Sequence, residues 1–184
     1  GEEPAEPQVV DTLGGRMHVR WDEGAAATPH GQLVFFAEFL AATGVFAALS
    51  DHCLATAQRS LELMRGAGRT IGFDPNLRPT LWPSTERMRE TINALAAQAD
   101  WVLRGIEEGR LLTGEDTPEG VARFYRERGA SLVVVKLGPE GAYYDGIAGR
   151  GRVAGFPVAQ VVDTVGAGDG FAVGVISALL AGRT

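Results

Sequence analysis

From residue 50 onward the chain alternates short apolar runs with stretches in which apolar residues return every third or fourth position. The first pattern belongs to buried strands, the second to helices with one apolar face. Leu54, Ala57, Leu61 and Met64 follow the helical spacing. Ser50 or Asp51 caps this helix, and Gly66 and Gly68 end it. Residues 69–74 read as a strand stopped by Pro75, and residues 74–79 as a stiff loop at its carboxyl end. Ser84 caps a second helix that buries Met88, Ile92, Leu95 and Ala99. Residues 100–103 form a short strand, and a helix opens just after Gly105 with Glu107 and Glu108 in its first turn. Thr117 followed by Pro118 starts another helix, which runs to about Arg128 and stops at Gly129. The β-branched run 131–136 reads as a central parallel strand. A turn at 137–142 returns as a strand at Tyr143 and Tyr144, and residues 152–156 give one more. Residues 158–162 lead into Asp163, and a long apolar helix runs from Gly166 to near Gly182.

Before residue 50 the pattern is thinner. Residues 1–7 are acidic and proline-rich and read as extended chain. Residues 9–21 hold short strands around Gly14 and Gly15, 32–36 a strand or a helix start, and 44–49 a short apolar run. The longest apolar stretch, 33–49, is broken by Glu38, Thr43 and Gly44, too short and polar for a membrane span. The alternation from about Phe46 predicts an α/β fold: a doubly wound, mostly parallel sheet with helices on both faces. It divides the chain into an N-terminal segment, 1–45, and an α/β core, 46–184.

Composition narrows the chemistry. The 184 residues carry a net charge of −6, which argues against nucleic acid and anionic membrane as main partners. No basic segment with an apolar run opens the chain, so no signal peptide is expected. One cysteine excludes an internal disulfide and fits a reducing cytoplasm; Cys53 reads as a buried helix thiol. His18, His30 and His52 lack metal-ligand spacing. Lys136 is the sole lysine, so there is no Gly-Lys-Ser/Thr phosphate loop, and a Schiff-base enzyme would have to use Lys136.

The most informative stretch is Asp163-Thr164-Val165-Gly166-Ala167-Gly168-Asp169, which opens directly into the apolar helix. The first N–H groups of a helix have no internal partner, and the helix dipole adds partial positive charge there, so this turn is a ready anion site. Gly166 and Gly168 let the backbone approach a ligand closely. Asp169 either caps the helix or takes a proton from a hydroxyl that attacks a phosphoryl group above those N–H groups. Asp163 fixes the turn through its own backbone. At the end of the 69–74 strand, Arg78 is a candidate anion ligand and Asn76 a candidate hydroxyl partner; a turn with a surface arginine is the plainer alternative.

Three segments resemble the ribokinase-like (PfkB) sugar kinases, in that family's order: 74–82, 105–114 and 163–169. A weaker fourth is the Lys-x-Gly-x-x-Gly at 136–141. The resemblance implies that the backbone of Gly166, Ala167 and Gly168 is the anion hole and Asp169 the general base on the sugar hydroxyl. It places Arg78 at the phosphoryl-transfer site, with Asn76, Arg78 and Asp169 as substrate contacts. Lys136, Gly138, Gly141, Gly166 and Gly168 fall on the nucleotide side. In the family an Asn-x-x-Glu pattern organises Mg²⁺ and phosphate through water; here Glu108 holds the glutamate position and Gly105 replaces the asparagine. The implied cofactors are ATP and Mg²⁺, with a monovalent cation near Asp163 and Thr164 in some relatives. The implied partners are a small sugar or sugar acid and a second copy of the chain. Within the family, the 77–82 and 165–174 runs look most like the 2-keto-3-deoxygluconate kinases.

The chain departs from the family at its ends. The β-strand lid is not recognisable, and Gly14-Gly15 lacks the usual following pattern, so the sequence reads as a fragment or as a chain with stretches removed. Three rivals follow: a fructokinase or other sugar kinase of the family, a Schiff-base aldolase built on Lys136, and a non-catalytic nucleotide- or sugar-binding domain.

Overall fold

The computed structural model describes residues 8–12, 15–19, 34–36, 39–43, 48, 50–157 and 167–182, with backbone alone for the segments up to residue 43. Two short strands, β1 (Gln8–Thr12) and β2 (Gly15–Val19), pair antiparallel as a separate ribbon. Among the described residues seven strands form the main sheet, and their spatial order equals their chain order. They are β3 (Val34–Phe36), β4 (Phe39–Thr43), β5 (Thr70–Asp74), β6 (Trp101–Gly105), β7 (Leu132–Lys136), β8 (Ala142–Gly146) and β9 (Gly149–Val153).

The centre of the sheet, β4 to β7, is parallel, and both margins are antiparallel. The expectation of an α/β fold with a parallel-centred sheet is met, with hairpins added at each side. The segment at 32–36, open between strand and helix, is strand β3. Strand β4 has no counterpart in the sequence reading. It pairs parallel with β5 from Phe39↔Thr70 to Thr43↔Asp74, so the sheet extends into the segment before residue 46. The final strand closes earlier than the 152–156 expectation, because a tight turn sets Gly146 opposite Gly149.

Among the described residues, five longer helices connect or cover the strands: α1 (Asp51–Gly66), α2 (Thr85–Ala96), α3 (Ile106–Thr113), α4 (Pro118–Arg126) and α5 (Ala167–Leu180). Local chemistry sets their starts. The Ser50, Ser84 and Thr117 hydroxyls accept the N–H groups of Cys53, Arg87 and Gly120 at 3.2, 3.1 and 3.1 Å. Each such cap contributes about 1 kcal/mol. Gly114, in the left-handed region at φ 77°, ends α3. Cys53 is only half-buried, a correction to the buried thiol expected: it shares the face of Ala57 and Leu61 but lies in the first turn of α1, which is poorly covered.

Strand alternation divides the sheet between two layers. Ile71, Phe73, Val102, Val133, Val135 and Tyr143 face the larger core, with Leu61, Met88, Ile92, Leu112 and Val121 of α1 to α4. Leu103, Val134 and Ala142 face the opposite side, where Phe171, Ala172 and Val175 of α5 cover them. Each fully buried Leu or Ile stabilises the fold by roughly 1.5–3 kcal/mol. Helices therefore lie on both faces. The four parallel strands end at Thr43, Asp74, Gly105 and Lys136, along one edge of the sheet.

Candidate active site

That carboxyl edge gathers the chemistry, as expected for open α/β sheets. Asp74 and Lys136 are the last residues of β5 and β7, with β6 between them. Both turn toward the α5 layer, and their side chains join across β6, Lys136 Nζ to Asp74 Oδ2 at 2.8 Å. Both are mostly buried, at 19% and 17% side-chain exposure. Burial raises the Asp74 pKa, opposed by the Lys136 ammonium. The Asn76 backbone adds a smaller pull in the same direction as Lys136.

The loop after β5 carries the next residues. Asn76 sits in the left-handed region at φ 39°, which asparagine tolerates better than most residues. This bend brings its Oδ1 to within 2.7 Å of Arg78 Nη1, which also donates to the Leu77 carbonyl at 2.9 Å. Asn76 and Arg78, expected as substrate contacts, are thus one hydrogen-bonded unit with the arginine exposed. Trp82 packs against the larger core, as expected of a packing residue.

Glu108 fastens this loop. Its Oε2 accepts the Gly105 N–H at 3.0 Å, closing the first turn of α3 as a capping box. Its Oε1 accepts the Leu77 N–H at 2.7 Å. Beneath them Arg104 is completely buried, its guanidinium 3.7 Å from the centre of the Tyr125 ring. Burial pulls the Arg104 pKa down, while Tyr125, Glu108 and Asp74 oppose that shift. Tyr125 in turn donates to Asn93 Oδ1 at 2.6 Å.

Ala167, Gly168 and Asp169 form the exposed first turn of α5. Asp163, Thr164 and Gly166 lie outside the described residues. Lys136 reaches this turn: a Cβ built on Gly168 would stand 3.6 Å from its ammonium nitrogen. The loop after β7 holds Gly138 and Gly141, both at positive φ. It interlocks with the segment after β9. A Cβ on Gly141 would overlap the Val153 carbonyl oxygen, and one on Gly155 would overlap that of Pro139. Beyond these glycines opens an apolar cavity of about 840 Å³ between α5 and β7 to β9, lined by Val134, Ala142, Phe156, Phe171 and Val175 among others.

The sequence reading named Asn76, Arg78, Glu108, Lys136, Gly138, Gly141, Ala167, Gly168 and Asp169, and all lie on or beside this edge. It missed Asp74, Arg104 and Gly155. Asp74 was visible as a carboxylate ending a strand before a proline, whereas nothing local marks Arg104 or Gly155. The donor set bears on a metal. No cluster of three or more His, Cys, Asp or Glu exists among the described residues. Both Glu108 oxygens already accept backbone N–H groups, leaving lone pairs for water. This fits a magnesium ion carried by phosphate oxygens and reached through water, not one held by a protein cage.

Known proteins share both the sequence and the fold. A sequence model described as pfkB family carbohydrate kinase matches residues 8–184. The 2-dehydro-3-deoxygluconokinase of Bacillus subtilis (strain 168) is 55% identical over 140 residues, covering 76% of this chain and 43% of that protein. Fructokinase-1 of Oryza sativa subsp. japonica is 38% identical over 130 residues, 70% of this chain and 40% of that protein. The chain therefore spans less than half the length of these curated relatives. Among solved structures, a PfkB protein from Polaromonas sp. JS666 superposes with a TM-score of 0.74 and 68% identity, over 79% of this chain and 47% of that one. Aminoimidazole riboside kinase from Salmonella enterica, solved with aminoimidazole riboside and an ATP analog, gives a TM-score of 0.66 at 27% identity, over 73% and 44%. Motif order, sheet topology and these matches agree, and the chain belongs to the pfkB family of carbohydrate kinases.

Proposed function

We propose that this chain carries the nucleotide and phosphoryl-transfer part of an ATP-dependent kinase for 2-keto-3-deoxygluconate. The observation that carries the reading is the convergence of three units on one sheet edge: the α5 N-terminus with Asp169, the Asn76–Arg78 pair, and the Lys136 ammonium. The identity to the Bacillus subtilis 2-dehydro-3-deoxygluconokinase supports the keto acid over other sugars.

In this reading Asp169 takes the proton from a primary hydroxyl as it attacks the terminal phosphoryl group. The N–H groups of Gly166, Ala167, Gly168 and Asp169 and the Arg78 guanidinium stabilise charge on that group. No covalent intermediate forms, and the protein's part is positioning and electrostatics. A magnesium ion on the phosphates supplies charge neutralisation, with Glu108 reaching it through water. Lys136, Gly138 and Gly141 lie toward the nucleotide, and the neighbouring apolar cavity suits a planar base. Asp163 and Thr164 stay the candidates for a monovalent cation.

The β1–β2 ribbon and the rest of 1–45 belong, in this reading, to the substrate or lid part, and 46–184 to the core. Among the described residues no helix is long and apolar enough to cross a membrane. We place the protein in the cytoplasm, acting on a small-molecule sugar acid and ATP, with pairing of two copies through the lid.

The test is ATP-dependent ADP release over a panel of 2-keto-3-deoxygluconate, fructose and ribose, beside Asp169→Asn. Turnover on the keto acid that falls about 10²–10⁴-fold in the variant supports the reading. Preference for fructose would make it a fructokinase, in line with the plant relatives. ATP binding without turnover would leave a binding domain.

A further inference from the structure

Lys136 is the sole lysine of the chain, and its ammonium is not left to solvent. It crosses a whole strand to reach Asp74, and the same nitrogen lies beside the first turn of α5, 3.6 Å from where a Cβ on Gly168 would stand. We propose that Asp74 is a positioning residue that holds the Lys136 ammonium at the N-terminus of α5, where it faces the transferring phosphoryl group. This inference rests on the phosphoryl-transfer reading of that turn.

The stoichiometry of donors permits it. An ammonium has three N–H donors and no acceptor, and one is taken by Asp74 Oδ2. Two remain for phosphate oxygens, so Lys136 need not leave Asp74 to act. Lysine also binds phosphate as a compact point charge, unlike the planar fork of Arg78. The two cations then approach from different sides. Arg78 comes from the loop after β5, tied to Asn76, and Lys136 from the end of β7.

A purely structural strut explains the arrangement less well. Burying an ion pair seldom stabilises a fold more than well-packed apolar residues would. A pair that fixes a cation in front of the α5 N–H groups gains preorganisation, and phosphoryl transfer draws most of its acceleration from charge held ready in this way.

The experiment compares wild type, Lys136→Met, Lys136→Arg, Asp74→Asn and the double variant Asp74→Asn/Lys136→Met. Three quantities are read: turnover kinetics, Tm, and the affinity for Mg·ADP with and without aluminium fluoride, which mimics the transferring group. Lys136→Met and Asp74→Asn should each reduce the tightening by aluminium fluoride by roughly 10–100-fold, over and above any change in affinity for ADP alone. The double variant should lose no more than either single one, and Lys136→Arg should keep part of the effect. Full tightening in Asp74→Asn and Lys136→Met, whatever happens to Tm, would leave only a strut and overturn the inference. So would a wild type that shows no tightening. A wild type that turns over no sugar but shows pair-dependent tightening sinks the kinase reading and keeps this one. Turnover indifferent to both residues does the reverse.

Discussion

Glu108 Oε1 accepts the Leu77 N–H at 2.7 Å while Oε2 of the same carboxylate accepts the Gly105 N–H at 3.0 Å. One side chain thus staples the start of α3 to the loop that carries Asn76 and Arg78. Its effect on the phosphoryl site then runs through loop geometry as well as through any ion. Glu108→Ala should destabilise the fold by about 2–3 kcal/mol, since two charge-assisted bonds are lost. Glu108→Gln, with one accepting oxygen, should lie between. Urea denaturation measures both. Excess Mg²⁺ should not restore activity to the alanine variant; full restoration at unchanged stability would assign Glu108 to the metal alone.

Asp74 sets a pH dependence of stability. Its carboxyl holds a proton more tightly in the folded chain than at the ordinary value of 3.8, because burial outweighs the pull of Lys136. The folded state then binds more protons than the unfolded state in the window just above that value. Stability contributed by this group is therefore fully present below 3.8 and falls as pH rises through the folded value. Thermal melts from about pH 3 to 8 should show a downward component that is missing in Asp74→Asn. A wild-type profile parallel to that of the variant would contradict it.

Gly141 and Gly155 meet backbone to backbone. A methyl group on either would overlap a carbonyl oxygen, and Gly141 adds a φ of 100°. Gly155→Ala should cost at least about 1–3 kcal/mol and loosen the loop of Gly138. KM for ATP should rise more than kcat falls. Gly141→Ala adds the strain of positive φ to the same clash, and Gly149→Ala, at positive φ with open space around it, reports that strain without the interlock.

Much of the fold was legible because strong local signals agree. Ser50, Ser84 and Thr117 each announce a helix start, and the hydroxyl of each caps it. The β-branched run before Lys136 names its own strand. Strand β4 was hidden because Phe39–Thr43 is held by parallel pairing to β5, a partner distant in sequence. At the site, glycine and proline punctuation exposed the 74–79 loop and the turn before α5. Arg104 stayed invisible because its neighbours Tyr125 and Glu108 come from other elements, and nothing in Val102-Leu103-Arg104-Gly105 tells a buried cation from a surface one. Gly155 stayed invisible because close approach is a property of two loops, not of one.

The ends of the four parallel strands, Thr43, Asp74, Gly105 and Lys136, fall at equal intervals along the chain. Each crossover thus spends the same length of polypeptide before returning to the same edge, and the edge works like a keyboard struck at a constant stride. This gives the chain two kinds of tolerance. A residue added in a connection such as the turn after α2 is absorbed before the next strand begins. A residue added within β5 shifts every later side chain of that strand to the opposite face. Asp74 would then face Phe73's side of the sheet, and Lys136 would have nothing to meet. Length variation among related chains should therefore collect in the connections and spare the strands between residues 70 and 136.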